Sequence, residues 1–197
     1  MGGPQSPATT RAECPHCDSE AEQALIRQCI DAGCAVVGVC LGSQLIGEAL
    51  GAPHGHSQES ETGAFPITLT KAGRANPKLT HFGAGAVVGH WHNDMPGLTP
   101  EAKILAVSEG CPRQIVEYAP LVYGFQCHME LTPEVVELLI AASGPELNTT
   151  KDRRFAQQPD TLRANDYSWM NALLLGFLDV LVEDLARSRG TAEGAGA

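Results

Sequence analysis

The stretch "AVVGVCLGSQLIGEALG", residues 35–51, constrains the fold more than any other part of the chain. A short, wholly apolar run is the signature of a parallel strand buried on both faces, which places "AVVGV" at the centre of a sheet. It runs directly into Cys40, which Gly38 and Gly42 bracket at i−2 and i+2. "SQLIGEALG" then reads as a helix with Leu45, Ile46, Ala49 and Leu50 facing inward and a glycine closing it. A sharp strand-to-helix turn of this kind needs small neighbours and lifts its apex side chain above the sheet edge. The helix start also offers free N–H groups and a positive dipole end, which lower a thiol's pKa and can hold an oxyanion. A buried structural cysteine needs none of this.

Upstream, "SEAEQALIRQCIDA" (19–32) sets Leu25, Ile26, Cys29 and Ile30 on one helical face, with Gly33 as the cap. Helix, strand, helix is an α/β order. The middle of the chain changes character. "AFPITLT" alternates Phe65, Ile67 and Leu69, and "GAVVGHWH", "KILAVS", "QIVEYA" and "LVYGFQCH" follow as strands, suggesting an antiparallel extension beside the parallel sheet. "LTPEVVELLIAAS" opens a helix, with Thr132 as cap, Pro133 in the first turn and Glu134 at the positive dipole end. Residues 145–164 read as a polar linker. Met170, Leu173, Leu174, Phe177, Leu178, Leu181, Val182 and Leu185 hold helical spacing across 165–188, and 189–197 read as a disordered tail.

A formal charge of −10 argues against nucleic acid or an anionic membrane as partner. No apolar run approaches bilayer length, and the N-terminus lacks a secretory pattern, so the expected location is cytoplasmic. Seven unpatterned cysteines then read as reduced thiols. Cys14-Pro15-His16-Cys17 lacks the second close pair of a zinc finger and reads as a pre-helix turn.

A thiolate nucleophile needs a base, and the base an orienting group. "VYGFQCHMELTPE" supplies both: His128 and Glu130, two apart in extended backbone, leave the same face, so Glu130 can fix the imidazole tautomer. Gly-Val-Cys-Leu-Gly-Ser-Gln followed by Gly-Phe-Gln-Cys-His-Met-Glu resembles the class I glutamine amidotransferases, of the stand-alone, GMP-synthase-like kind, over roughly residues 1–140. The resemblance implies a flavodoxin-like, mostly parallel α/β sheet with an antiparallel extension, an amidotransferase-like domain over 1–144 and a C-terminal helix. It implies Cys40 as nucleophile, His128 as general base and acid, and Glu130 as the orienting carboxylate. Gly3 of "GGP" and Leu41 would supply the oxyanion N–H groups, and Gln44, Gly42, His92 and Asp94 would contact substrate.

Glutamine is the implied substrate, and an ammonia-acceptor enzyme on another chain the implied partner. No cofactor or metal is expected; a two-histidine metal site at His90 and His92 is the weaker reading of "HWHNDMP". Cys127 and Met129 depart from the family's usual aromatic and proline. The family also carries a strand, a helix and a strand ahead of Gly-Gly-Pro, so the resemblance implies an N-terminally truncated chain. The rival expectations are a γ-glutamyl amide or peptide hydrolase on the same scaffold, and an inactive binding module.

Overall fold

Every apolar run named above becomes a regular element in the computed structural model, which describes residues 5–194. Helix α1 (Ser19–Asp31) starts at Asp18, whose side chain accepts from the Ala21 N–H, and ends at Gly33 with φ +68. Strand β1 (Val36–Val39) leads through Cys40 into α2 (Leu41–Ala49). A long strand β2 (Gly55–Leu69) and β3 (Gly85–Met95) form an antiparallel ribbon, separated by the short helix α3 (Lys71–Ala75) and a 3-10 turn (Pro77–Phe82). Strands β4 (Lys103–Val107), β5 (Ile115–Ala119) and β6 (Val122–Phe125) follow, then α4 (Pro133–Thr149), α5 (Pro159–Ala164) and α6 (Ser168–Gly194).

The sheet order is β1-β6-β5-β4-β2-β3. This is an α/β fold with a mixed sheet: β1 and β6 run parallel, and every other pairing between the named strands is antiparallel. The parallel part is therefore narrower than the sequence suggested. Strand β1 is the outer strand among the described residues, and its three valines are half-buried rather than enclosed on both faces.

Two apolar clusters flank the sheet. The smaller joins α1, α2 and β5 through Ile26, Leu45, Ile46 and Val116. Leu25, expected on the inner face of α1, is instead 60% exposed, because the α1 stripe against α2 centres on Ile26. The larger cluster packs α4 and α6 against the other face, with Met170, Leu173, Phe177 and Leu181 around Tyr123 and Phe125. Phe177 meets both rings edge-on, at centroid distances of 5.0 and 4.9 Å. Val182 turns outward at the far side of that stripe. Thr132 does cap α4, accepting from the Val135 N–H at 3.4 Å.

The segment read as a linker, 145–164, carries the last turns of α4 and all of α5, and its Phe155 and Leu162 are buried. Polar composition hid this, because few apolar side chains suffice when they fill gaps under a strand: the Thr62 N–H donates to the Phe155 carbonyl at 2.7 Å. Helix α6 likewise continues to Gly194, into the stretch read as a tail.

Candidate functional site

The turn between β1 and α2 is built on two adjacent glycines. Gly38 pairs with Gly124 of β6 in the sheet register. A Cβ on Gly38 would lie 2.3 Å from the Gly42 carbonyl oxygen, and one on Gly124 would lie 2.6 Å from Ser43 Oγ. The first turn of α2 thus sits directly on the sheet. To enter the helix from that height the backbone at Cys40 adopts φ +51, the only positive φ outside glycine among the described residues. Such a conformation costs of order 1–3 kcal/mol and persists only where its surroundings enforce it. Here the Cys40 N–H donates to the Phe125 carbonyl at 2.7 Å, tying the turn to β6.

Strand β6 delivers the second half of the site. Beyond Phe125 the chain crosses to β3, where His128 and Gly89 exchange backbone hydrogen bonds of 2.7 and 3.0 Å. Asn171 of α6 donates to the carbonyls of Met129 and Leu131 at 2.6 and 3.0 Å, clamping the residues around Glu130. Glu130 Oε1 stands 2.6 Å from His128 Nδ1 and remains open to solvent on its outer side. Burial opposes charge on the His128 ring, but hydrogen bonding and charge from Cys40 and Glu130 outweigh it and raise its pKa from 6.5 to about 10. Burial also works against the Glu130 carboxylate, yet His128 holds its pKa below the ordinary value.

The Cys40 thiol sits 3.9 Å from the Trp91 carbonyl oxygen. Gln126 Nε2 approaches Cys40 Sγ at 3.7 Å, while Gln126 Oε1 accepts from Gln44 Nε2 at 3.1 Å. The remaining cysteines offer no comparable setting: burial pushes the Cys111 thiol up to about 12 and raises that of Cys127 well above its usual range.

A cavity of about 530 Å³ opens over the thiol. Cys40, Leu41, Gln44, His92, Asp94 and His128 all line it, so the structure brings six of the sequence-derived residues to one place. Gly42 does not line it and packs against Gly38 instead. Gly3 lies outside the described residues. Leu41 leads α2, whose first N–H groups have no partner within the helix and form its positive dipole end.

Sequence reasoning missed part of the wall. Leu139, Ala142, Ser143 and Leu147 of α4 line the cavity, as do Thr150 and Arg153 beyond it. Arg153 also donates to Ser60 Oγ at 2.8 Å. Nothing local marks these residues; only the return of the chain under β2 brings them to the thiol.

A second polar group lies behind His92. Glu61 of β2 reaches His90 Nδ1 and His92 Nε2 through Oε2, at 3.4 and 3.3 Å. Gln114 Nε2 and Ser108 Oγ donate to the same oxygen at 2.6 and 2.8 Å. Burial would raise the Glu61 pKa, but the contacts with His90 and His92, and then Ser108, outweigh it and hold the carboxyl well below the usual carboxylate range. Burial lowers the pKa of His92. No local pattern points to Glu61, because the irregularity in the β2–β3 register between His56 and Glu61 decides which of its neighbours turns inward. Asp94, farther along β3, pairs with His56 at 2.6 Å.

A strand-to-helix cysteine facing a histidine–carboxylate pair across a cavity has the parts needed for acyl transfer through a thioester. Residues 1–141 match the family described as glutamine amidotransferase class-I. The glutamine amidotransferase-like protein YfeJ of Salmonella typhimurium is 59% identical over 181 residues, which cover 92% of this chain and 76% of that protein. Among solved structures, that of SMU.1228c aligns with a TM-score of 0.90 at 46% identity, covering 92% of this chain and 78% of the other. A glutamine amidotransferase of Thermotoga maritima, tm1158, shares the fold, with a TM-score of 0.79 at 24% identity over 92% of this chain and 76% of its own. The chain belongs to the class I glutamine amidotransferases. Among the described residues, no helix is long and apolar enough to cross a membrane.

Proposed function

We propose that the chain hydrolyses the side-chain amide of glutamine to glutamate and ammonia. The observation that carries this reading is Cys40, held at φ +51 at the head of α2, with the His128–Glu130 pair beside it. The Cys40 thiolate attacks the amide carbon, and the developing oxyanion lies against the N–H of Leu41. His128 gives its proton to the departing nitrogen, the C–N bond breaks, and a γ-glutamyl thioester forms. His128 then takes a proton from water, whose oxygen attacks the thioester carbon. Glutamate leaves and the thiol is restored. Glu130 keeps the imidazole in the tautomer that this shuttle needs.

The cavity wall suits the far end of a free amino acid. Arg153 and Asp94 line it, a cation for an α-carboxylate and an anion for an α-ammonium. Gln126 and Gln44 present amide groups beside the thiol, suited to a carboxamide. The ammonia would be consumed by an acceptor enzyme on another chain.

The test is ammonia release from glutamine by the wild type and by Cys40→Ala, with γ-glutamyl amines as competing substrates. Glutamine should have the higher kcat/KM, and Cys40→Ala should lose activity by roughly 10³-fold or more. A higher kcat/KM for γ-glutamyl amines would instead make the protein a γ-glutamyl hydrolase. Glutamine binding without turnover would make it a binding module.

A further inference from the structure

The Glu61–His90–His92 group has a geometry that hydrogen bonding alone does not account for. Three ligand atoms from two neighbouring strands form a nearly equilateral triangle: Glu61 Oε2 to His92 Nε2 is 3.3 Å, Glu61 Oε2 to His90 Nδ1 is 3.4 Å, and His90 Nδ1 to His92 Nε2 is 3.5 Å. A tetrahedral zinc ion with bonds of about 2.0–2.1 Å sets its ligand atoms about 3.3–3.4 Å apart. Gln114 Nε2 stands over the triangle, 3.2 Å from His90 Nδ1, 3.3 Å from His92 Nε2 and 2.6 Å from Glu61 Oε2. Turning the Gln114 amide over, an orientation that heavy-atom positions do not distinguish, would put its carbonyl oxygen at that fourth corner.

Protons do not satisfy the triangle equally well. His90 Nε2 lies 3.2 Å from the Phe65 carbonyl oxygen, which can only accept, so Nε2 carries the proton. In the neutral ring Nδ1 is then a lone pair, turned toward the Glu61 carboxylate and the second imidazole. Glu61 Oε1 has no hydrogen-bond partner although the residue is fully buried. A cation inside the triangle meets the two imidazole nitrogens and Glu61 Oε2 at once, while the orphan Oε1 lies outside the triangle. The Phe65 contact is also what a metal-bound histidine makes, its free N–H donating to a backbone carbonyl.

We propose that Glu61, His90 and His92, with Gln114 as the fourth corner, bind one divalent transition-metal ion. Two imidazoles and one carboxylate oxygen at tetrahedral spacing, with the Gln114 amide nearer to Glu61 at 2.6 Å, favour zinc over magnesium or calcium, which take six or more oxygens. The ion joins β2, β3 and the turn before β5, and it fixes His92 in the cavity wall. Its role is structural, since the ligands are almost fully buried and the thiol chemistry requires no metal. His92 borders the cavity, so an ion can arrive from that side.

The experiment uses the untagged full chain, stripped of metal and titrated with zinc, and in parallel with cobalt(II) as a spectroscopic substitute. Zinc should bind one ion per chain and raise the thermal midpoint. Cobalt should give the visible bands of a tetrahedral nitrogen–oxygen site without a thiolate charge-transfer band. Glu61→Gln and His90→Gln should weaken zinc binding by at least about 100-fold. If those variants fail to fold, the wild-type cobalt spectrum decides alone. A thiolate band would place the metal on cysteines such as Cys14 and Cys17 and overturn the proposal. So would substoichiometric zinc, or unchanged affinity in the two variants.

Discussion

Cys40 holds a backbone conformation that an L-residue keeps only under constraint, and the constraint comes from side chains that are missing rather than present. Its partner His128 carries a pKa raised from 6.5 to about 10, which fixes the sign of a pH effect. A group bound more tightly to its proton in the folded state stabilises the fold fully below its unfolded pKa. That stabilisation fades as pH rises toward the folded value. The stability gap between wild type and His128→Ala should therefore be widest below pH 6.5 and shrink between 6.5 and about 10, measured by urea denaturation at stepped pH. At the cavity rim, Arg153→Ala should raise KM for glutamine with little change in kcat, if Arg153 meets the α-carboxylate as proposed, since that part of the substrate does not react. A steady-state comparison of the two parameters checks this.

At the scale of elements, the site depends on how closely α2 approaches the sheet. Gly38→Ala puts a methyl group 2.3 Å from a backbone oxygen, which no side-chain movement relieves. It should cost about 1–3 kcal/mol in chemical denaturation and depress kcat/KM together with stability. Asn171→Ala removes the clamp on Met129 and Leu131 while leaving the cavity lining intact. It should lower kcat more than it changes KM, since only the seat of His128 and Glu130 loosens. These elements were largely legible in the sequence. Apolar runs marked the strands, and the glycine-flanked cysteine and the His-x-Glu pair are local patterns that no tertiary context is needed to see. Glu61, Gln114 and Arg153 were not legible, because strand register and a polar return segment bring them in from distant parts of the chain. The exposure of Leu25 and Val182 shows the same limit: helical spacing gives a face but not where its edge meets solvent.

In the whole molecule, α6 and the sheet share one apolar cluster, so the helix that closes the chain also supports the thiol's surroundings. Phe177 lies fully buried between Tyr123 and Phe125, on the strand that leads to His128. Phe177→Ala should cost about 3–5 kcal/mol and lower the thermal midpoint, with a parallel fall in ammonia release as β6 loosens. All seven cysteines are free, so selectivity among them must come from placement alone. The most direct measurement treats the intact chain with a glutamine analogue bearing an electrophile at its δ-carbon and locates the adduct by peptide mass spectrometry. The expected result is a single adduct on Cys40, blocked by excess glutamine and absent from His128→Ala. Labelling spread over Cys14, Cys29 and Cys34, or an adduct on Cys40 that glutamine does not protect, would contradict the assignment of this cavity as a glutamine site.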